Sequence, residues 1–580
     1  MGSVVFVGVV EAFKADEWPS MSTPDDLQGV HASMPGTVRR DIQRTLLQAS
    51  TWCCLLCEWH NLTSSTTCSV CKSPKDTAHR LSTWAKPVSA IKSLMFRAAE
   101  QIVMYDDSHL NATQLSAKMR RQWTREIVKG KLMWKRHFIR AACEAFTLRK
   151  IFSQDGLHDI EWTPLDHRGY MESVWSAGLA VSSIYNTEVA HSAFPVKCLW
   201  VLEQVAATIV PYSALHLKVK THRHAIFNQA MDMLLALDTS TARAIIRVEI
   251  HGEAAQDAGA VLREWYTVVA ENILNESNGL FMISNREDQT YFINPNSAHA
   301  WHRKSNHTGA FRAVGRFIGR AILDGQVLPL HFNPVIFKAI LGVPMSLDDI
   351  ELLDPAMFQS LLYLLKHDGV DELGLTFSVT EPRGDSYTEI DLMYSGRDIA
   401  VTDGNKDEYV QRMVHHLLFG RVEAQMNALI RGVYDILSPT VLLVLDHKEL
   451  EILLCGYSEI DLNDWRENTI VLESTSPDAS SVIDWFWQIV DELSPTNRIK
   501  LLQFSTGSSR VPVQGFKGLT SYDGYVCYFT LKCVEYKEGA FPTAHTCYNR
   551  LDLPTYPNKQ LLHDAISSLL LCDPTGFTLA

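Results

Sequence analysis

The sequence holds 580 residues with 46% hydrophobic and 21% charged side chains, 30 Gly and 22 Pro, a composition that excludes fibrous and wholly disordered chains. At about 150 residues per domain the length predicts roughly four units. The net charge of −13 argues against whole-chain attraction to nucleic acid or anionic membrane, and no apolar run approaches the roughly 18 to 20 residues of a membrane span.

Residues 1–47 show little periodicity and several Pro and Ser (Trp18-Pro-Ser-Met-Ser-Thr-Pro), which predicts a poorly structured segment. The apolar stretch Val4–Val10 has no Lys or Arg before it and ends at Glu11, so no secretory signal is expected, and Phe6 breaks the myristoylation pattern that Gly2 would begin. A reducing compartment, cytoplasmic or nuclear, is the expected setting. There, 12 cysteines in 580 residues do not make a disulfide scaffold.

Five of those cysteines lie between Cys53 and Cys71. Cys54-x2-Cys57 and Cys68-x2-Cys71 are two knuckles whose spacing lets four thiolates converge on one tetrahedral Zn²⁺. The ion would order about 25 residues that are too few to build a core of their own. Buried or disulfide-bonded cysteines are the alternative. The polar stretch from Lys72 to Pro87, broken by Ser73-Pro74 and Lys86-Pro87, reads as a linker.

The pattern Trp52-x-Cys54-x2-Cys57-x3-Asn61-x6-Cys68-x2-Cys71 resembles the Ran-binding-protein type zinc finger over residues 48–75. The resemblance implies Cys54, Cys57, Cys68 and Cys71 as ligands, leaves Cys53 outside the set, and implies binding of ubiquitin or single-stranded RNA. Trp59 and Val70 would keep an apolar surface for ubiquitin, although Glu58 departs from the ubiquitin-binding branch. No Arg or Lys lies between Cys54 and Cys71, which argues against RNA.

Residues 88–230 are expected to form a helical region of unknown role, since Met119, Trp123 and Ile127 recur at i, i+4 and i+8. Within it, residues 118–150 carry eleven Lys or Arg against two acids, Glu126 and Glu144. Such a run reads as a nucleic-acid or membrane patch or, more commonly, as the solvated face of an amphipathic helix. From Ile245 onward strands (Ile245–Ile250, Phe529–Glu535) mix with helices (Ala258–Leu274, Phe311–Leu323, Glu408–Ile436, Leu561–Leu571), which predicts an α+β multidomain fold.

Seven cysteines are scattered singly, and six of them sit in apolar surroundings that suit packing. Cys547 differs. It lies in the Pro-bounded polar loop Pro542-Thr-Ala-His-Thr-Cys-Tyr-Asn, with His545 two residues before it, where an extended chain would put both side chains on one side.

The run His545-Thr546-Cys547-Tyr548-Asn549-Arg550-Leu551-Asp552-Leu553-Pro554-x-Tyr556, with Gly576-Phe577 near the end, resembles the carboxyl lobe of a HECT ubiquitin ligase. Further blocks follow in family order: Gly252-Glu253, Asp257-Ala-Gly259, Arg263-Glu-Trp265-Tyr266, Val314-Gly-Arg316-x-x-Gly319-Arg-Ala321, Glu449-Leu-Glu451, Cys455-Gly456, Trp465, and Leu501-Leu-Gln-Phe-Ser-Thr-Gly. The resemblance covers about residues 230–580. It implies a bilobal domain, with a large mainly helical lobe at 231–492, a small α/β lobe at 496–580 and a hinge at Asp491–Asn497.

Within the large lobe, about 356–440 would receive the ubiquitin-conjugating enzyme, with Phe358, Leu361, Leu362 and Leu365 either at that contact or in the core. Cys547 would carry ubiquitin as a thioester, with His545, Thr546, Asp552 and Phe577 in support, and pass it to lysines of protein substrates. The alternative is a non-catalytic ubiquitin- or RNA-binding adaptor.

Overall fold

The computed structural model describes residues 10–14, 51–54, 56–62, 65–75, 110, 112–128, 131–137, 146–152, 158–164, 170–172, 187–252, 258–285, 290–301, 306–384, 386–457, 460–472, 479–512, 515–519 and 526–571. In chain order the first element is strand β1 (Val10–Lys14). Strands β2 (Thr51–Cys53) and β3 (His60–Leu62) then pair antiparallel, with Trp52 opposite Asn61 and the first cysteine knuckle in the connection between them.

The helical reading of 88–230 is corrected over residues 123–172. Helix α1 (Ala112–Met119) stops before Trp123, and strands β4 (Trp123–Val128), β5 (Lys131–Arg136), β6 (Phe146–Phe152), β7 (His158–Pro164) and β8 (Tyr170–Glu172) follow. β5 lies between β4 and β8 in an antiparallel sheet, and β6 pairs with β7. A two-residue period governs the start of β4, where buried Trp123 and Arg125 alternate with half-buried Thr124 and Glu126, and Ile127, the third member of the expected helical seam, is exposed. Arg125 is accommodated inside because its guanidinium stacks on Trp134 at 4.2 Å and donates to the carbonyls of Leu341 and Leu443. Helical structure resumes at α2 (Phe194–Ala206).

A large core follows. Strand β9 (Leu215–Thr221) is flanked by β1, antiparallel, and by β10 (Ile245–Ile250), parallel. Val10–Lys14 is thus ordered sheet, where composition predicts loop. Helices α3 (Ile226–Ala236) and α4 (Ala258–Leu274), the hairpin β11 (Phe281–Asn285) and β12 (Thr290–Ile293), and helices α5 (His307–Leu323), α6 (Pro334–Leu341) and α7 (Leu347–Leu353) build outward from it. Next come α8 (Pro355–Lys366), the hairpin β13 (Ser378–Arg383) and β14 (Ser386–Asp391), α9 (Lys406–Leu418), α10 (Glu423–Ile436) and α11 (His447–Cys455).

Helix α5 is buried nearly all round, and its two buried arginines survive there because each is paired. Arg316 donates to Asp435 at 2.7 Å and to the carbonyls of Leu234 and Leu237, and Arg320 makes a bidentate pair with Asp324. Glycine explains the rest of that motif. A Cβ on Gly315 would stand 2.0 Å from the Leu429 carbonyl oxygen, and one on Gly432 would stand 2.1 Å from the Arg312 carbonyl oxygen. Backbone meets backbone at this crossing of α5 and α10. Gly315→Ala is therefore expected to lower stability by about 1–3 kcal/mol, read as a lower urea midpoint; an unchanged midpoint would refute the close crossing.

A second core begins at Trp465 and contains Phe486, Leu502, Phe516, Phe529, Leu551 and Leu562. Its elements are α12 (Leu462–Glu467), β15 (Thr469–Leu472), α13 (Ala479–Glu492), α14 (Pro495–Thr506), β16 (Phe529–Val534), β17 (Thr543–His545), β18 (Arg550–Pro554) and α15 (Lys559–Leu571). The sheet runs β15-β16-β18-β17, with only the β17–β18 pair antiparallel.

This moves the boundary from the expected Asp491–Asn497 to the stretch between Tyr457 and Trp465. α13 and α14 share one core, and Ser494-Pro495 is simply the start of α14, where the Ser494 side chain accepts from the Asn497 amide.

Asp464 braces this core. Its carboxylate accepts from the Phe516 amide at 2.8 Å, and a Cβ on Gly515 would lie 2.4 Å from Asp464 Oδ2. Burial pushes the Asp464 carboxyl up to about 6. The native state thus holds its proton to higher pH than the unfolded chain, and stability should fall as pH rises from about 4 to about 6. Unfolding midpoints across that window in the wild type and Asp464→Asn check it; equal slopes would refute it.

Candidate active site

The sheet of the second core places Cys547 at one end. β17 runs antiparallel to β18 with His545 opposite Arg550, and a single 3-10 turn, Thr546–Tyr548, joins them. Asn549 closes the turn in the left-handed region (φ 48), which Asn tolerates better than most side chains. It is fully buried and donates to the Cys527 carbonyl at 2.8 Å, while its own carbonyl accepts from the Thr530 amide at 2.9 Å. The turn is therefore tied to the central strand β16.

Of the expected supporting residues, the structure brings three to this turn. His545 does not sit by an extended-chain relation to Cys547, because the strand ends at His545 and the turn breaks the two-residue alternation. Its Nε2 instead lies 3.2 Å from Asp552 Oδ2. Asp552, buried in β18, also holds Arg550 at 2.9 Å, an ion-pair contact without the alignment of a hydrogen bond. Thr546 faces the end of α14, where a Cβ on Gly507 (φ +73) would come within 3.7 Å of its Cβ. Phe577 lies outside the described residues.

Residues to which the sequence assigned no role at this turn complete the surroundings. Arg263 of α4 donates to the Thr506 carbonyl, and its Cδ is 3.3 Å from where a Gly507 Cβ would stand. Phe541 and Tyr548 are exposed beside the turn. Cys527, expected as a packing residue, is only partly buried and directs its Sγ to the Tyr548 carbonyl at 3.1 Å. Arg263 stood in a family-like block, but its contact with Thr506, 243 positions away, has no local signal.

The second candidate site is the cysteine cluster. Cys54, Cys57, Cys68 and Cys71 are all buried, and their Sγ atoms lie within 4.8 Å of one another. Cys54 contacts Cys71 at 3.4 Å and Cys57 contacts Cys68 at 3.6 Å. Hydrogen bonds from Cys54 and Cys57 hold the Cys68 thiol far below its ordinary range. Four thiols in that space suit one tetrahedral thiophilic ion and no disulfide-only arrangement uses the geometry as fully. Cys53 stays exposed, outside the set.

Trp59 and Val70 are not an open surface. Trp59 is 1% exposed and Val70 7%, both part of the large core, and the Trp59 ring lies 5.0 Å from Phe194 at the start of α2. The expected ubiquitin contact there is corrected: the apolar face is already covered by this chain. Beyond Arg121 the described Lys and Arg of the basic run lie on strands β4, β5 and β6, not on a helix. Within that run Arg120 is buried, donating to Asp446 at 2.6 Å and to the Cys57 carbonyl at 2.7 Å; outside it, Lys197 of α2 pairs with Glu449 at 2.9 Å. Arg121 is exposed and reaches Glu58.

In the 356–440 region Phe358 and Leu361 are core residues, and Leu362 and Leu365 pack against the core. α10 belongs with α5 at the glycine crossing. The exposed apolar residues are instead Tyr363, Leu373, Tyr387 and Tyr394, the last 94% exposed. Among the described residues no helix is long and apolar enough to cross a membrane.

The family model described as HECT-domain (ubiquitin-transferase) matches residues 267–580. The chain is 34% identical over 395 residues to the E3 ubiquitin-protein ligase HACE1 of Xenopus tropicalis, covering 67% of this chain and 42% of that protein. It is 34% identical over 397 residues to HACE1 of Danio rerio, covering 67% and 43%. Against the E3 ubiquitin-protein ligase TOM1 of Saccharomyces cerevisiae it is 35% identical over 335 residues, covering 58% and 10%. The match thus spans less than half the length of these relatives. The family model covers more than half of this chain and includes the whole of the second core, so the chain belongs to the HECT-domain (ubiquitin-transferase) family.

Proposed function

We propose that the protein is a ubiquitin ligase in which Cys547 receives ubiquitin from a conjugating enzyme and hands it to a substrate lysine. The observation that carries this reading is a cysteine on a tied 3-10 turn at the end of the sheet, inside the span matched by the ubiquitin-transferase family. In the first step the Cys547 thiolate attacks the thioester carbonyl of the charged conjugating enzyme. The new S–C bond forms, the old one breaks, and the enzyme's thiolate leaves and takes up a proton. In the second, a neutral lysine amine attacks the same carbonyl, the C–N isopeptide bond forms, the Cys547 S–C bond breaks to release the thiolate, and the amine's proton passes to solvent. Exchange between thioesters is nearly isoenergetic, so the acyl group stays activated. His545, Asp552 and Thr546 shape the turn rather than carry the group.

The two cores act as two lobes joined near Tyr457–Trp465, and the thiol must face the donor first and the acceptor later. The exposed Tyr363, Leu373, Tyr387 and Tyr394 form the surface that receives the conjugating enzyme, a partner that buries aromatic anchors. The four-cysteine cluster holds Zn²⁺ in a Ran-binding-protein type finger; bound there, the ion would order the knuckles without entering the reaction.

The test mixes the purified chain with a charged conjugating enzyme and ubiquitin. The expected product is a thiol-sensitive ubiquitin adduct mapped by mass spectrometry to Cys547; an adduct on another residue, or none, would sink the reading. A second reading, a non-catalytic adaptor, has no observation in its favour.

A further inference from the structure

The four-cysteine module is seated on the joint between the two cores. Its Trp59 fills the space beside Phe194, Arg120 lies over the Trp59 ring at 5.2 Å, and the same arginine ties the Cys57 carbonyl to Asp446 at the start of α11. Ser69, in the second knuckle, is fixed by Asn61, which accepts from both its amide (2.8 Å) and its hydroxyl (3.0 Å). The hydroxyl of Tyr457, just beyond α11, lies against Ser69 and the Trp59 indole, although it makes no hydrogen bond of normal geometry to the Trp59 nitrogen.

Tyr457 is one residue through which the large core meets the second. Its amide donates to the Val511 carbonyl at 2.9 Å and its carbonyl accepts from the Val511 amide at 3.4 Å. Preceding it, Gly456 approaches the same strand so closely that a Cβ would sit 2.5 Å from the Val511 oxygen. Val511 ends a strap, Thr506–Val511, that is stiffened by its own side chains. Ser508 donates to the Arg510 carbonyl, and its amide donates to Thr506 Oγ1. The large core grips this strap at two more points, where Arg263 donates to Thr506 and Arg510 meets His331. The strap's Gly507 lies against Thr546, next to Cys547.

We propose that the four-cysteine module is an internal brace: docked on this chain's own large core through Trp59, Ser69 and Arg120, it holds Tyr457 and so sets where the Thr506–Val511 strap presents the Cys547 turn. The partner of this apolar face is therefore the ligase itself, and metal in the knuckles governs the order of the joint. The proposal rests on the reading of Cys547 and of the metal in the cysteine cluster given above. Its physical element is the Tyr457–Val511 pair, a two-bond bridge that is made or broken.

Hydrogen exchange on the full-length chain tests it. Removing the metal with a chelator should speed exchange of the Tyr457 and Ser508–Val511 amides at least about tenfold while leaving α5 and α10 unchanged. Tyr457→Phe, which keeps the ring and the metal, should speed the same amides at least about threefold. Unchanged amides in either experiment would overturn the brace. So would a rise spread evenly through α5 and α10, which would make the module an undivided part of the core. Protection of the Trp59 segment by added ubiquitin would overturn it too, since the face would then be a receptor. A chain that carries no metal, or one that forms no adduct on Cys547, would defeat the proposed function, whereas the Tyr457→Phe comparison would still judge the brace on its own.

Discussion

Cys547→Ala is expected to abolish the ubiquitin adduct and lower transfer to substrate by at least about 10³-fold, because no other group on the 3-10 turn can form a thioester. Cys547→Ser makes the sharper version of the test. A serine oxygen that accepts ubiquitin forms an ester, less reactive toward amines than a thioester, so the serine variant should accumulate an adduct that resists thiols and yields to base. Gel assays with and without reductant separate these outcomes. Residual thiol-sensitive adduct in Cys547→Ala would move the nucleophile elsewhere. Because Asn549 ties the turn to β16 and His545 meets Asp552 of β18, both variants should keep the wild-type unfolding midpoint, and a loss of folding would remove the basis for reading the activity.

Arg120→Met is expected to cost about 3–5 kcal/mol, the usual effect of removing one partner from a buried charge cluster. Arg120 and Lys197 balance Asp446 and Glu449 in a nearly dry space. Burial opposes charge on Arg120, and the two carboxylates more than offset it, holding the guanidinium above its ordinary range. Without Arg120 the Asp446 carboxylate, which also caps α11 by accepting from the Lys448 and Glu449 amides, loses its nearest cation. Burial already pushes Glu449 up, and the loss would push it further. Urea unfolding measures the cost, and a change below about 1 kcal/mol would show the cluster to be solvated. The methionine keeps the apolar contact with Trp59, so the loss reports the charges rather than the packing.

The two candidate sites were legible in the sequence for the same reason. A thiolate cage needs paired cysteines a fixed two residues apart, and a tied catalytic turn needs its residues in one continuous run. Such constraints act over a few positions and leave a mark there. Glycines such as Gly315 and Gly319 stood out in a motif, but only the crossing of α5 with α10 explains why nothing larger fits.

Readings that failed did so where a local signal had more than one tertiary solution. Met119, Trp123 and Ile127 matched a helical period, yet burying Trp123 together with Arg125 on one face of a strand won, because Trp134 and two carbonyls could receive the guanidinium. Ser494-Pro495 resembled a break between lobes, yet it is a helix cap within one core.

The amino-acid order thus sufficed for the family and for the four cysteines that come together, and it supplies the nucleophile proposed above, since each depends on side-chain chemistry at short spacing. Tertiary structure alone decided what covers Trp59 and Val70, where the two cores divide, and that Arg120 and Arg125 of the basic run are buried. Those answers depend on partners hundreds of residues apart, such as Arg120 with Asp446, and burial of a charge is resolved only when the opposite charge is brought to meet it.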